Sequence, residues 1–584
     1  MTKRGIMAMA GCAGLALSAT PATAAPCGVA QIAELPVTMQ GMRAIVQTRI
    51  NGDPAPFILD SGAFYSLISP PVAKARHLPL QPLPPTFTLR GIGGSTNAEV
   101  ATVHRFTLAG VDLANIQFVV GGTDVGQTGL LGQNVLGLAD VEYDLPGGMV
   151  RLMRPKSCGS TAMAYWTQGK PFFEIPIESK EAAHNHTIGT VTLDGAKLKA
   201  MFDTGATTVI SLRAAARAGV KPGDPGVERD GWDSGIGRRV VQGWIAPFKL
   251  LEIGNEQLHN VRLRIADLGD ADTDMLIGAD YFISHRLYVS NAQQRIYFTY
   301  TGGRLFDTRA HVDPTSPSAV VVGGGEGAPP SDAEAYSRQG AVFQTQHDLP
   351  HAIEAYTHAI ALAPKAAQYP RQRALAYLLK RRPVLAMDDL DTTLTLDPAD
   401  TDARLIRAEV RLRAGSRDGA VTDLDDLTRR LPREARQRMR IAQLYGQADA
   451  FAAAIDQYGL WLATHHDDAH RSEALNGRCW VRALANIDLD AARDDCNAAV
   501  NAVPSNPSFL DSRGLVALRR GDAAAAIADF NAALAIDPKL AWTLYCRGLA
   551  ERRLGQTDAA TRDLAAATAL DKRIAARAQH YGLS

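Results

Sequence analysis

Two hydrophobic patterns share this chain. Up to about residue 300, apolar runs of strand length are cut by glycine turns. Beyond residue 332, small and apolar positions return with a period of 34 residues. Between the two lie Pro314, Pro317, Gly323-Gly324-Gly325 and Pro329-Pro330, a composition that predicts a flexible linker over residues 304–331.

The first region contains one arrangement twice. Phe57-Ile58-Leu59-Asp60-Ser61-Gly62-Ala63 returns as Ala200-Met201-Phe202-Asp203-Thr204-Gly205-Ala206. Each copy predicts an apolar strand that ends in an aspartate, a small hydroxyl residue and a glycine. A stretch of helical character follows, Val72 to His77 in one copy and Leu212 to Ala218 in the other. Next comes a glycine turn between strand-like residues, at Gly91-Ile92-Gly93-Gly94 and at Gly235-Ile236-Gly237. About 70 residues after each aspartate stands an apolar element with a glycine, Gly129 to Leu136 and Asp274 to Phe282. A single such aspartate is an ordinary turn residue. Two on equivalent strands supply the parts of a carboxylate pair, and two carboxylates in contact share one proton.

These motifs resemble the retropepsin-like aspartic proteases, in the form with two lobes in one polypeptide, over roughly Leu35 to Tyr300. The resemblance implies that Asp60 and Asp203 form a catalytic dyad that activates water for peptide hydrolysis. It implies that Ser61 and Thr204 hydrogen-bond across the lobe interface, and that Gly62 and Gly205 let backbone approach the carboxylates. Gly91, Ile92, Gly93, Gly94, Gly235, Ile236 and Gly237 would be flap tips, where positive φ and close approach favour glycine. Ser61 departs from the commoner threonine; it keeps the hydroxyl and loses a methyl that packs.

The second region places Pro364, Pro398 and Pro432 at intervals of 34, then His466, Pro504 after a four-residue insertion, Pro538 and Lys572. Twelve residues before each is an alanine: Ala352, Ala386, Ala420, Ala454, Ala492, Ala526 and Ala560. Twelve earlier again stand Gly340, Ala374, Ala408, Ala442, Trp480, Gly514 and Gly548. Small residues let paired helices approach, and proline ends the second helix. The pattern resembles tetratricopeptide repeats, seven in number, with Trp480 in the fifth as a departure. The resemblance implies an α-solenoid with a groove for a protein or peptide partner. It also places Cys479 and Cys496 on facing helices of the fifth hairpin, where a disulfide is expected, and leaves Cys546 unpaired.

The N-terminus changes the compartment. Lys3 and Arg4 precede an apolar stretch from Gly5 to Leu17, and Ala22-Thr23-Ala24 is a small-x-small site. This predicts a Sec-type signal peptide over 1–24 and a periplasmic or secreted protein. Cleavage before Cys12, giving a lipoprotein, is the lesser alternative. Export permits disulfides. Cys27 and Cys158 bracket the first lobe, as a disulfide or as two thiols. No later run of about 18 apolar residues predicts a transmembrane segment. With 61 basic and 61 acidic residues, nothing points to a nucleic-acid surface. No cofactor or metal is expected: His184-Asn185-His186 and His465-His466 are taken as solvated positions rather than ligands.

The expected architecture is therefore an all-β bilobal region, with lobes at 25–158 and 159–303, followed by an all-α repeat domain at 332–584. The expected function is an exported aspartic endopeptidase with a repeat domain that recruits protein or peptide. Both lobes lie in one chain, so a monomer completes the dyad. The alternative is a catalytically inactive peptide-binding or assembly scaffold of the cell envelope.

Overall fold

The computed structural model describes residues 27–583 except 85–86, 93, 179–185, 234, 236, 238–239, 270–271, 304, 307–329 and 331. The expected signal segment, Cys12, Gly93, Ile236, His184 and most of the linker therefore lie outside the described residues.

The duplicated motif folds alike in both halves. In the first, strand Phe57–Leu59 pairs in parallel with Gly129–Leu131, which pairs antiparallel with Leu67–Ile68. In the second, Ala196–Phe202 pairs in parallel with Met275–Ile277, which pairs antiparallel with Val209–Ser211. The apolar-glycine element is thus the strand that lies between the two flanks of each aspartate loop. Short helices follow at Pro70–Ala75 and Leu212–Arg217. The first begins two residues before Val72 because Pro70 fits the first helical turn, where no backbone donor is needed.

A shared sheet joins the lobes. Asp140–Asp144 of the first pairs antiparallel with His285–Ser290 of the second, with Glu142 opposite Tyr288. Glu142 is fully buried there and accepts hydrogen bonds from Arg151 at 2.8 Å and Arg286 at 2.6 Å, while Tyr165 donates to its other oxygen. A buried carboxylate needs such partners. Cys27 and Cys158 are joined by a disulfide at the ends of the strands Gly28–Gln40 and Met149–Lys156.

The C-terminal region is a row of antiparallel helix pairs. The first is Ala333–Thr345 with Leu349–Leu362 and the seventh is Ala541–Arg553 with Thr557–Leu570; helix Ile574–His580 follows. The alanines at 352, 386, 420, 454, 492, 526 and 560 are all buried. The small residues across from them admit aromatic rings: a Cβ on Gly514 would lie 2.6 Å from Phe530. Pro364, Pro398, Pro504 and Pro538 each follow the second helix by two residues.

The Trp480 departure has a cause in the loop of its hairpin. In the hairpins around it the middle loop residue is left-handed, as at Asp449 and Gly521. In the fifth, Asn486 and Asp488 are left-handed instead. The first helix is thereby shifted by one residue against the second. An arginine–aspartate bridge shows the shift: Arg373–Asp389, Arg407–Asp423, Arg513–Asp529 and Arg547–Asp563 are 16 residues apart, whereas Arg478–Asp495 are 17 apart. The buried small residue of the fifth hairpin is accordingly Cys479, disulfide-bonded to Cys496, while Trp480 turns toward Trp542 at 6.0 Å. Cys546 is a buried free thiol.

The array packs on the lobes and on its own end. Thr345 donates to the Gly41 carbonyl at 3.1 Å and Gln346 to that of Ile283 at 2.9 Å. Past the last pair, Tyr581 donates to Asp449 at 3.1 Å and Arg577 lies 4.5 Å over the Trp542 ring. The chain end thus covers part of repeats four to seven. Among the described residues no helix is long and apolar enough to cross a membrane.

Candidate active site

Each aspartate is fixed by the strand beside it. The Asp60 amide donates to the Leu131 carbonyl at 3.0 Å, and the Asp203 amide to that of Ile277 at 2.8 Å. Turn amides then orient the carboxyls. Asp60 Oδ1 accepts from Gly62 at 3.0 Å and Ala63 at 2.8 Å; Asp203 Oδ1 accepts from Gly205 at 2.8 Å. Both aspartates are 8% exposed.

The two loops are locked reciprocally. Thr204 Oγ1 donates to the Leu59 carbonyl at 2.9 Å and accepts from the Ser61 amide at 3.0 Å. Ser61 Oγ donates to the Phe202 carbonyl at 2.8 Å and accepts from the Thr204 amide at 2.9 Å. Four hydrogen bonds in a buried setting thus cross the interface. They satisfy both hydroxyls and both amides, so no polar group is orphaned there. Each glycine faces the opposite carboxyl: a Cβ on Gly62 would lie 2.2 Å from Asp203 Cγ, and one on Gly205 2.3 Å from Asp60 Cγ. Only glycine fits between the carboxyls.

Electrostatics follow from this packing. Burial raises the Asp60 pKa well above the ordinary carboxylate value, and the Asp203 charge and hydrogen bond raise it further. Asp203 is also raised by burial, against hydrogen bonds from Asp60 and the Gly205 and Gly62 amides and the charge of His186. Two buried carboxyls in contact keep one proton between them.

The glycine turns of the two lobes meet each other. Gly91 and Gly94 pair in a two-stranded hairpin. The Gly237 amide donates to the Ile92 carbonyl at 3.0 Å, and Gly235 abuts Ile92. Ile92 packs against the second-lobe cluster of Val209, Ala266, Leu268 and Leu276. A depression of about 900 Å³ on the second lobe, lined by Asp194, Ala218, Pro247 and Asn260 among others, includes neither aspartate.

Several residues carry roles the sequence patterns leave unmarked. Ser66 donates from its amide and hydroxyl to Asn134 at 2.8 Å, and its oxygen accepts from Gly132 at 3.0 Å. Thr208, Asp280 and Gly278 repeat this at 2.9, 2.6 and 2.9 Å. The signal was present as Asn134 and Asp280 two residues after equivalent glycines. Gln133 Nε2 donates to the Ser61 carbonyl at 2.7 Å. His186, taken as solvated, stands 6.0 Å from the Phe64 ring and near Asp203. His465, by contrast, is not solvated: it is 3% exposed, stacks on Trp461 at 4.4 Å and lies 3.6 Å from Asp124.

Among the described residues no cluster of His, Cys, Asp or Glu could hold a metal ion.

Residues 46–135 and 189–281 each match the aspartyl protease family model. No curated protein matches the chain. Solved structures similar to part of it include the APC/C hetero-tetramer Cut9-Hcn1, at 15% identity over 44% of this chain and 50% of that chain, with TM-score 0.33. The chain thus spans half the length of that structure. PilW, a widely conserved type IV pilus biogenesis factor, is 19% identical over 35% of this chain and 92% of that chain, with TM-score 0.30. A tetratricopeptide repeat protein from Parabacteroides merdae is 18% identical over 38% and 86%, with TM-score 0.28.

Proposed function

We propose, from the premise that two aspartyl protease lobes and a tetratricopeptide-type array form one chain, that this protein is an exported aspartic endopeptidase. The observation that carries the reading is the contact of two buried, strand-ending carboxyls whose loops are cross-locked by Ser61 and Thr204.

Asp60 and Asp203 hold one proton and bind a water between them. The ionised carboxyl takes a proton from that water as it attacks the scissile carbonyl. The protonated carboxyl hydrogen-bonds the carbonyl oxygen as charge develops there. A tetrahedral gem-diol results. Proton transfer to the amide nitrogen then releases the amine, with no covalent intermediate. The dyad acts as one unit, since its members titrate together. Substrate lies extended between dyad and flaps, adding backbone hydrogen bonds of strand type. The flaps exclude water when closed.

The repeat array recruits a protein or peptide. The chain's own C-terminal residues cover part of repeats four to seven, and the first helix pair packs on the lobes.

The test is cleavage of a diverse peptide mixture across acid to neutral pH, with Asp60→Asn and Asp203→Asn alongside. Loss of cleavage in both variants supports one intramolecular dyad. Cleavage that survives in either variant overturns it. A wild-type chain that binds peptides without cutting them returns the reading to the scaffold alternative.

A further inference from the structure

The loop after each aspartate differs between the lobes by one residue. Ser66 and Thr208 mark equivalent ends of it, since their hydroxyls donate to Asn134 and Asp280, each two residues after an equivalent glycine. Five residues, Ser61 to Tyr65, separate Asp60 from Ser66; four, Thr204 to Thr207, separate Asp203 from Thr208. The longer loop carries Phe64 and Tyr65 where the shorter carries only Thr207.

The two aromatic rings belong to a row. Phe64 and Tyr65 meet at 4.5 Å, Tyr65 lies 5.9 Å from Phe87, and Phe64 lies 6.0 Å from the His186 ring of the second lobe. His186 is placed by its strand. Ile188 pairs with Met201 and the Phe202 amide donates to the Thr187 carbonyl at 2.9 Å, so His186 comes beside Asp203. The contact of Phe64 with His186 therefore bridges the lobes at the level of the dyad. At the other end, Phe87 stands two residues before Leu89, the first residue of the glycine hairpin. The row is not core. Tyr65 is 40% exposed and Phe64 and Phe87 are half-buried, while Ala63, Leu67 and Leu89 are buried.

The equivalent place in the other half is polar. Ile45 pairs with Ile58 as Ile188 does with Met201, so Arg43 is the counterpart of His186. Arg43 and Thr207 are both exposed, and Arg43 donates to the Val125 carbonyl at 2.7 Å.

We propose that Phe64, Tyr65 and Phe87 form a subsite for an aromatic side chain, and that the substrates are peptides with an aromatic residue on one side of the scissile bond only. Lobes related by a two-fold axis present equivalent loops to opposite sides of that bond. Equal loops give equal preferences; here one side offers aromatic faces and the other Thr207 and Arg43. Side chains of an extended peptide alternate in direction, so one residue in two can reach the row. Ring packing with centroids about 4.5–7 Å apart adds to the gain from the apolar area covered.

The inference rests on the protease reading, and its test separates the two. The probe is a peptide of fixed sequence in which a single phenylalanine is moved one position at a time, with the cut located by mass spectrometry. Wild-type kcat/KM is expected to rise about tenfold or more with phenylalanine at a position on one side of the cut, and to stay within about threefold at its counterpart on the other. Tyr65→Ala and Phe64→Ala should each reduce that gain to about threefold or less, and leave kcat/KM on the other peptides within about threefold. Thr207→Ala should change neither. A gain equal on both sides, a gain that survives in either variant, or an equal fall on all peptides overturns the proposal. A chain that cleaves none of them overturns the protease reading, and Kd from isothermal titration is then read across the same set. There, an affinity gain of about tenfold at one position that Tyr65→Ala removes supports the subsite, and uniform affinity overturns it.

Discussion

Replacing Gly205 by alanine tests the geometry of the dyad most directly. The added Cβ would sit 2.3 Å from Asp60 Cγ and 2.5 and 2.6 Å from its oxygens. Carbon atoms in contact rest at about 3.5–4.0 Å. One of the two loops must therefore move by roughly 1.2 Å or more. The Asp203 loop cannot retreat, because Thr204 is tied to Leu59 and Ser61. The Asp60 carboxyl must then leave the amides of Gly62 and Ala63. A displacement of about 1 Å costs on the order of a hundredfold in rate. The assay is kcat on a cleaved peptide, with the melting temperature measured beside it. The expectation is a kcat loss of about a hundredfold or more. Gly28→Ala is the control, since nothing lies within 4 Å of its Cβ. Retention of more than a tenth of the wild-type kcat by Gly205→Ala would refute the argument.

Three further outcomes follow from the same coordinates. Thr204→Val leaves the buried Ser61 amide and Leu59 carbonyl without partners, at about 1–3 kcal/mol each; urea unfolding should show a loss of roughly 2–6 kcal/mol, and Thr204→Ser much less. Asp60 has a raised folded-state pKa, so the stability its protonated form gives is full below the unfolded value of about 3.9 and is lost as pH rises through the folded pKa. Asp60→Asn should therefore raise the melting temperature at pH 7 and leave it little changed at pH 3; equal shifts at both would contradict the assignment. Cys479 and Cys496 close a span of 17 residues, so replacing both with alanine should cost about 3 kcal/mol under oxidising conditions and almost nothing after reduction of the parent.

The pairing of Asp60 with Asp203 was legible because its motif is written twice. Each copy carries its strand, its glycine and its apolar partner strand at matching intervals, so one weak motif checks the other. The helix pairs were legible for the same reason, through buried alanines at one register. What escaped the sequence depends on contacts far apart in the chain. His465 reads as solvated from its own repeat, yet it lies 3.6 Å from Asp124, more than 300 residues away. The fifth-hairpin shift depends on which loop residues adopt positive φ, and Asn486, Ile487 and Asp488 do not announce it. Gln133 and Asn134 were inside the repeated element, but only the fold shows that one side chain turns to Ser61 and the other to Ser66.

The glycine turn of the second lobe and the repeat array meet on one hydroxyl. Thr123 donates to the Gly237 carbonyl at 3.2 Å and accepts from the Ala469 amide at 3.2 Å, while the Gly237 amide donates to the Ile92 carbonyl of the first lobe's turn. Beside it the Asp124 amide donates to Asp468 at 3.0 Å. Each neutral hydrogen bond contributes about 0.5–1.5 kcal/mol net. Among the described residues one such bond joins the two turns, so parting them costs about 0.5–1.5 kcal/mol in hydrogen bonding, together with fuller exposure of the half-buried Ile92. On the protease reading proposed above, an extended peptide with its own amides and carbonyls takes up the hydrogen bond that the two turns make with each other.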